Sequence, residues 1–307
     1  MTIKKHLFIL SLFVLFQSCG QEKKSQAALN TKIEEIVAYA TKGLPDYEKM
    51  EKLPDLYNIS ISSSNCKYEI LISDLQSAAF FNDSQGSVTS KTKGINSSLL
   101  GSGLTPIEIR LFPSTGKQVL DKYASISIKI EHIPHMGSAE GRETVWTYKM
   151  PMLEQPLPTF VHKGAFEVTV PFKLTSLENA VDLSTLDSTQ LRKEVDAQFA
   201  TFISILEQGD GVALLDFTRE RERVGTVQWY STKKELKEEM VTDIERIQKS
   251  KLVPLPKSIL RFYGKNKIVT LRKAKTLETY IWMDDGEYYF GRALNLYKTK
   301  DNKWHVW

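Results

Sequence analysis

The chain has 307 residues, 41% of them hydrophobic and 25% charged, with a formal net charge of +4. This is an ordinary globular composition, and the length allows two cored domains at ~100–200 residues each. The near-neutral balance excludes the electrostatic footprint of a nucleic-acid-binding protein.

The amino terminus sets the location. Lys4 and Lys5 precede ten apolar residues, Leu7–Phe16, and the small residue Ser18 stands immediately before Cys19. That is the layout of a secretory signal. The apolar run is too short to persist as a spanning helix, which needs about 20 residues, and no later stretch approaches that length. Ser18-Cys19-Gly20 resembles the lipobox of bacterial lipoproteins, in the looser form found in Bacteroidota, with Phe16 and Gln17 in place of the usual Leu and Ala or Ser. The resemblance implies diacylglycerol transfer to the Cys19 thiol, removal of residues 1–18, and acylation of the new amino terminus. The alternative is a plain signal peptide with an incidental cysteine. On the lipoprotein reading the membrane is a partner through the acyl chains (palmitate among them), since two or more chains anchor firmly. Gly20-Gln-Glu-Lys-Lys24 lacks both an inner-membrane-retaining Asp and a run of acidic residues. The expected location is therefore the cell envelope, on the periplasmic face of the outer membrane.

Cysteine usage follows from the anchor. The chain has two cysteines, Cys19 and Cys66. A lipidated Cys19 leaves no disulfide for Cys66 within the chain. Cys66 alternates with Tyr68, Ile70 and Ile72, the pattern of a small hydrophobe facing a core; a reactive thiol is the alternative.

Residues 19–30 are polar and aperiodic and read as a lipidated tether. Thr31 and Glu34 form a capping-box signature, and Ile33, Ile36, Val37 and Ala40 share a helical face. Gly43 and Pro45 end this helix, so 31–56 is expected to be a helix and linker. From 57 to 180 the period is two. Tyr57–Ser62, Tyr68/Ile70/Ile72, Ile107/Ile109/Leu111, Ile126/Ile128/Ile130, Val145–Tyr148 and Phe166/Val168/Val170/Phe172 predict about six strands of an antiparallel β-sandwich. Lys67, Glu69 and Leu71 fall on the outer face of their strand. The stretch 82–103 is rich in Ser, Gly and Asn and reads as a long loop, either functional or mobile.

The period returns to helical near 184. Leu191, Val195, Phe199, Phe202 and Leu206 line one helix, which Gly209 closes. Asp210 caps a short second helix carrying Val212, Leu215 and Phe217, and Val224–Tyr230 reads as extended. Thr232 and Glu235 open a third helix with Leu236, Met240, Ile244 and Ile247 on one side. Strands are expected at Ile259–Tyr263, Lys267–Lys273, Thr279–Met283, Tyr288–Tyr297 and Lys303–Trp307, with a hairpin at Asp284-Asp285-Gly286. Helices followed by an antiparallel meander make 185–307 an α+β domain. The segment Phe199–Phe217 (a long helix, a Gly-Asp break, a second helix ending in an aromatic) resembles the opening of the NTF2-like superfamily of SnoaL and ketosteroid isomerase. Tyr288–Tyr297 and Lys303–Trp307 are similar to its last two strands. The resemblance covers about 190–307 and implies a curved sheet closing over a cone. No position matches the family's acidic base or its donors, so no catalytic residue is carried over.

Candidate chemistry is sparse. His132 and His135 are a close pair, but Pro134 excludes a regular helix and no Cys joins them; they read as a strand end. His162 and His305 stand alone and read as structural. No serine sits in a nucleophile elbow and no glycine loop has phosphate-cradle spacing. No metal site, cofactor or catalytic set is expected. Arg219-Glu-Arg-Glu-Arg223 reads as solvated ion pairs. The aromatics Tyr280, Trp282, Tyr288 and Phe290 read either as cross-strand packing or as the walls of a ligand pocket. The expected protein is a lipid-anchored, non-catalytic module that binds an envelope protein or a small apolar ligand. The competing expectation is an enzyme with its site in the C-terminal cone.

Overall fold

A computed structural model describes residues 26–51, 54–81, 88–134 and 141–307. The signal segment 1–18, Cys19, the first part of the tether, residues 82–87 and His135 lie outside the described residues. The described residues form a mixed α/β protein with antiparallel sheets and four helices.

The first half forms two four-stranded antiparallel sheets. One has the order β4-β1-β6-β7, from Val88–Gly94, Leu56–Ser64, Ser125–Ile133 and Glu143–Lys149. The other has the order β3-β2-β5-β8, from Leu75–Phe80, Cys66–Ile72, Gly101–Pro113 and Phe160–Lys173. Period-two alternation aims one face of each sheet at a shared apolar cluster. Ile59, Ile61, Ile126, Ile128 and Ile130 come from the first sheet; Tyr68, Ile70, Ile107, Ile109, Val168 and Val170 come from the second. Cys66 is buried in this cluster, as its alternation predicts, and its thiol donates to the Ser125 carbonyl at 3.5 Å. His162 stacks on Tyr148 with ring centroids 3.8 Å apart. Burial there lowers the imidazole below its ordinary value.

The stretch expected to be a long loop is largely ordered backbone. Residues 88–94 are β4, Asn96–Ser98 form a 3-10 turn, and β5 starts at Gly101. Serine and threonine suit an edge strand as well as a loop, and Ser60, Ser63, Thr89 and Thr92 pair across β1 and β4. The strand β3 escapes the sequence reading because Gln76, Ser77, Ala78 and Ala79 carry little apolar signal.

Four helices and the remaining strands build a second core. Helix α1 spans 26–40, α2 Ser188–Gln208, α3 Gly211–Trp229 and α4 Lys233–Lys249. The starts of α2, α3 and α4 are fixed by Asp187, Asp210 and Thr232, whose side chains accept backbone N–H groups. Thr232 and Glu235 complete the expected capping box. Gly209 ends α2 at φ 61°, a left-handed turn that suits glycine. Two expectations fail. Helix α1 is already formed at residue 26, the first described residue, so Thr31 lies inside it and its hydroxyl donates to the Ala27 carbonyl rather than capping. Val224–Tyr230 is helical to Trp229, because burial of Val224 and Val227 on the helix overrides their strand propensity. Ile33, Ile36, Val37 and Ala40 of α1 pack with Phe199, Phe202, Leu214, Met240 and Ile244, so the residues near 31 belong to the core of the C-terminal helices.

These helices cover one face of two further sheets. The order β10-β11-β14-β15 joins Ser258–Tyr263, Ile268–Lys273, Leu296–Lys298 and Trp304–Val306; the order β13-β12-β9 joins Tyr289–Arg292, Ile281–Asp284 and Lys251–Leu252. The expected strand Tyr288–Tyr297 is thus divided between two sheets. A bridge between Arg272 and Thr279 connects β11 to the segment leading into β12.

The two halves meet through β2–β3 and β10–β11. The β2–β3 turn has Ser73 and Asp74 at φ 53° and 60°, the geometry of a tight hairpin. Its Asp74 carbonyl accepts the Gly264 N–H at 2.8 Å, and its carboxylate accepts the Lys265 N–H at 2.6 Å. Behind the turn, Leu71 and Leu75 pack with Tyr263, Ile268 and Tyr297. Glu69 is completely buried beside them. Its carboxylate accepts from Gln76 Nε2 at 2.8 Å, Tyr263 Oη at 2.8 Å, Arg261 Nη2 at 2.9 Å and Arg110 Nη1 at 3.2 Å. Glu69 and Leu71 therefore face the second half of the chain, not solvent as the alternation suggests. Burial first, then the Glu69 charge, raises the Tyr263 phenol above its ordinary value.

Breaking a buried ion pair by removing one partner costs about 3–5 kcal/mol. Arg110 and Arg261 keep more than a quarter of their side-chain surface exposed, which favours the lower end. Glu69→Ala is expected to destabilise the protein by about 3 kcal/mol in urea unfolding followed by circular dichroism. A change below about 1 kcal/mol would show that Glu69 does not hold the halves together.

Candidate functional site

A cavity of about 990 Å³ opens in the seam between the halves. Leu75 and Gln76 of β3 and Ser97 and Ser98 of the 3-10 turn form its first wall. Helices α3 and α4 form the second, and Arg272, Thr279, Arg292 and Asn295 the third. Gln228 of α3 fixes the first wall to the second by donating to the Ser97 and Leu99 carbonyls, each at 3.1 Å.

Local pattern explains how each charged group arrives there. Thr270 and Arg272 share one face of β11, while Val269 and Leu271 point into the helical core. Arg272 is only 6% exposed. Its Nη1 donates to Thr279 Oγ1 at 3.1 Å and its Nη2 to Gln76 Oε1. Both partners are neutral, and its Nε has no hydrogen-bond partner among the described residues. Gln76 thus joins the Glu69 cluster to the cavity wall. Thr279 packs at 3.3 Å from the position a Cβ would take on Gly291, which places Arg292 next along the same wall. Arg292 Nη1 pairs with Asp243 Oδ1 of α4 at 2.7 Å, while its Nε and Nη2 are unpartnered among the described residues. The buried Oδ1 of Asn295 is likewise without a donor.

Helix α3 adds Arg221, which pairs with Glu222 at 2.7 Å. Burial alone would lower the Arg221 guanidinium, but Glu222, Asp243 and Glu239 together hold it above its ordinary value. Crowding at the cavity mouth, then the like charges of Glu222 and Asp243, raise the Glu239 carboxyl. Arg219 and Arg223 take other roles. Arg219 lies over the Tyr39 ring at 4.0 Å, and Arg223 donates to the Tyr39 carbonyl at 2.9 Å, tying α3 to α1. The alternating run 219–223 is therefore an interhelical and cavity-lining segment, which keeps one exposed pair of the kind expected, Arg219 with Glu35 at 3.5 Å.

The aromatics expected to line a pocket do not line this one. Tyr280 packs edge-on against Phe199 in the helical core. Trp282 donates to the Thr279 carbonyl at 2.7 Å and lies under Lys273. Tyr288 is 66% exposed at the tip of the hairpin that Asp284–Gly286 forms. Phe290 supports the site from behind, carrying Arg246 at 3.6 Å and Arg292 at 5.4 Å over its ring. The residues that do line the cavity were missed because they are scattered polar positions from Leu75 to Trp307 with no common motif. No cluster of His, Cys, Asp and Glu among the described residues could hold a metal ion, and His132 pairs instead with Asp55 at 2.8 Å.

Comparison with known proteins returns no matching family, no matching curated relative and no matching solved structure.

Gly225 is a further clue. It stands inside α3 and lines the cavity, and a Cβ added there meets no atom within 4 Å. Glycine inside a helix costs about 0.5–1 kcal/mol relative to alanine. Gly225→Ala is expected to stabilise the protein by that amount in chemical denaturation. Destabilisation would mean that the space beside α3 is not open.

Proposed function

We propose that this chain is a bacterial envelope lipoprotein, held on the periplasmic face of the outer membrane by lipid on Cys19, and that it binds a small polar ligand. In this reading the first half is a β-sandwich and the second an NTF2-like domain whose curved sheet and helices form one side of the binding site. The supporting sequence features are the n-region, Leu7–Phe16 and the Ser18-Cys19 box. No helix among the described residues is long and apolar enough to cross a membrane, so the lipid is the anchor the reading requires.

One observation carries the binding half of the reading. A cavity of about 990 Å³ has the size of a small-molecule site, about 300–1,000 Å³, and its wall holds a deeply buried guanidinium hydrogen-bonded only to neutral groups. A buried charge is costly without a charged partner, and a protein core alone has no use for it. The guanidinium and carboxylate groups on the walls shift the expected ligand from apolar to polar. The enzyme reading keeps one specific support, the cavity-lining carboxyl of Glu239, which burial raises above its ordinary value in the direction a general acid–base carboxyl needs.

The anchor and the cavity are tested separately. Palmitate labelling and membrane fractionation of cells producing Cys19→Ala are expected to show an unlabelled protein released from the membrane; unchanged labelling overturns the anchor. For the cavity, native mass spectrometry of the detergent-solubilised protein incubated with a small-molecule cell extract is expected to show a retained adduct. Gly225→Leu, which projects a side chain into open space, is expected to lose the adduct while melting no lower than the wild type. An adduct of equal occupancy in that variant would place binding elsewhere.

A further inference from the structure

We infer that the seam cavity recognises a small organic carboxylate bearing a neighbouring hydroxyl or amino group; this rests on the ligand-binding reading above. The argument comes from the unpartnered atoms. Arg292 uses Nη1 on Asp243, which leaves Nε and Nη2 together. Those two N–H groups form one edge of the planar guanidinium, the edge that takes both oxygens of a carboxylate. Arg272 offers a further unpartnered Nε from the buried floor. Asn295 Oδ1 offers an acceptor with no donor, which a hydroxyl or amine beside the carboxylate would supply.

The charge inventory selects the class. Of the guanidiniums on the wall, Arg221 is paired with Glu222, Arg292 with Asp243 and Arg246 with Asp285. Arg272 has only Gln76 and Thr279. Arg272 therefore has no anionic partner of its own, which a carboxylate supplies with one charge and a phosphate dianion exceeds. The other lining carboxylates, Glu222, Glu238, Glu239 and Asp243, oppose a second negative charge and welcome an amino group.

The test uses the full-length lipidated protein in detergent, with isothermal titration and thermal shift at constant ionic strength. The probes are lactate, malate, glycine and glutamate, with lactamide and inorganic phosphate as controls. At least one hydroxy- or amino-carboxylate is expected to bind saturably and raise the melting temperature, while lactamide and phosphate leave it unchanged. Arg292→Lys cannot present the two-donor edge and is expected to weaken that probe at least tenfold. Arg272→Met is expected to lose it entirely, with a melting temperature no lower than that of Arg292→Lys. Asn295→Leu is expected to narrow the preference of the hydroxylated over the plain carboxylate to less than twofold, with acetate as the plain probe. Tighter binding of phosphate than of every carboxylate overturns the assignment, as does a bound carboxylate indifferent to Arg292→Lys. If the extract yields an adduct blocked by Gly225→Leu but no carboxylate binds, the carboxylate class falls and the binding reading stands. If neither occurs, both fall.

Discussion

Everything at the seam depends on one buried carboxylate. Glu69 has no exposed surface, and removing a carboxylate from water costs several kcal/mol even after relaxation. Donors from three strands around it offset that cost: Gln76 on β3, Arg110 on β5, and Arg261 and Tyr263 on β10. Two of the donors belong to the second half of the chain, so Glu69 is satisfied only when the halves are docked. The same geometry fixes the Gln76 amide. With its nitrogen committed to Glu69 and Tyr263, its oxygen must face Arg272. The position of the cavity's deepest charge therefore follows from a carboxylate on the other side of the seam.

Much of the secondary structure was legible, for reasons that are local. Ile126, Ile128 and Ile130 alternate because a strand presents every second residue to the core. Thr232 and Glu235 satisfy each other's backbone donors wherever that pair opens a helix. Gly209 marks a helix end because a left-handed turn disfavours any side chain. The failures are places where a distant contact decides. Val224-Gly-Thr-Val-Gln-Trp229 has the composition of a strand, yet Gln228 reaches the 3-10 turn only as part of a helix. Thr31 with Glu34 is a sound start signal, but the helix already runs from residue 26, and Glu34 pairs with Lys237 of α4 instead.

The site was not legible, and the reason is the second face of a strand. In β2 the residues between the apolar ones read as solvent-facing, yet Glu69 and Leu71 are buried by the other half. In β11 Thr270 and Arg272 are buried on the face turned away from the helical core. A sheet covered on both faces looks nearly continuous in apolar content, and Leu71 and Ile268 were the available hints of that cover. A polar residue on a covered face takes its partners from neighbouring structure: Glu69 finds guanidiniums and a phenol, whereas Arg272 finds only the neutral Gln76 and Thr279. Sequence alone cannot separate these, because the matching group lies 192 residues away for Arg261. Aromatic density did not lead to this cavity for a related reason. Tyr280 and Phe290 bury their rings by packing, and only their neighbours face the cavity.

Arg272 also bears on how the two halves work together. A guanidinium held by an amide and a hydroxyl is less stable than a hydrocarbon of similar shape would be in the same place. Local rules broken without structural gain are expected where function requires it. The cavity draws walls from both halves, so on the proposed reading a ligand that spans them would bind the docked arrangement alone. Such binding would add to the stability of docking by mass action, on top of the contribution from Glu69. Gln76, bonded to both Glu69 and Arg272, physically joins the buried carboxylate to the cavity wall.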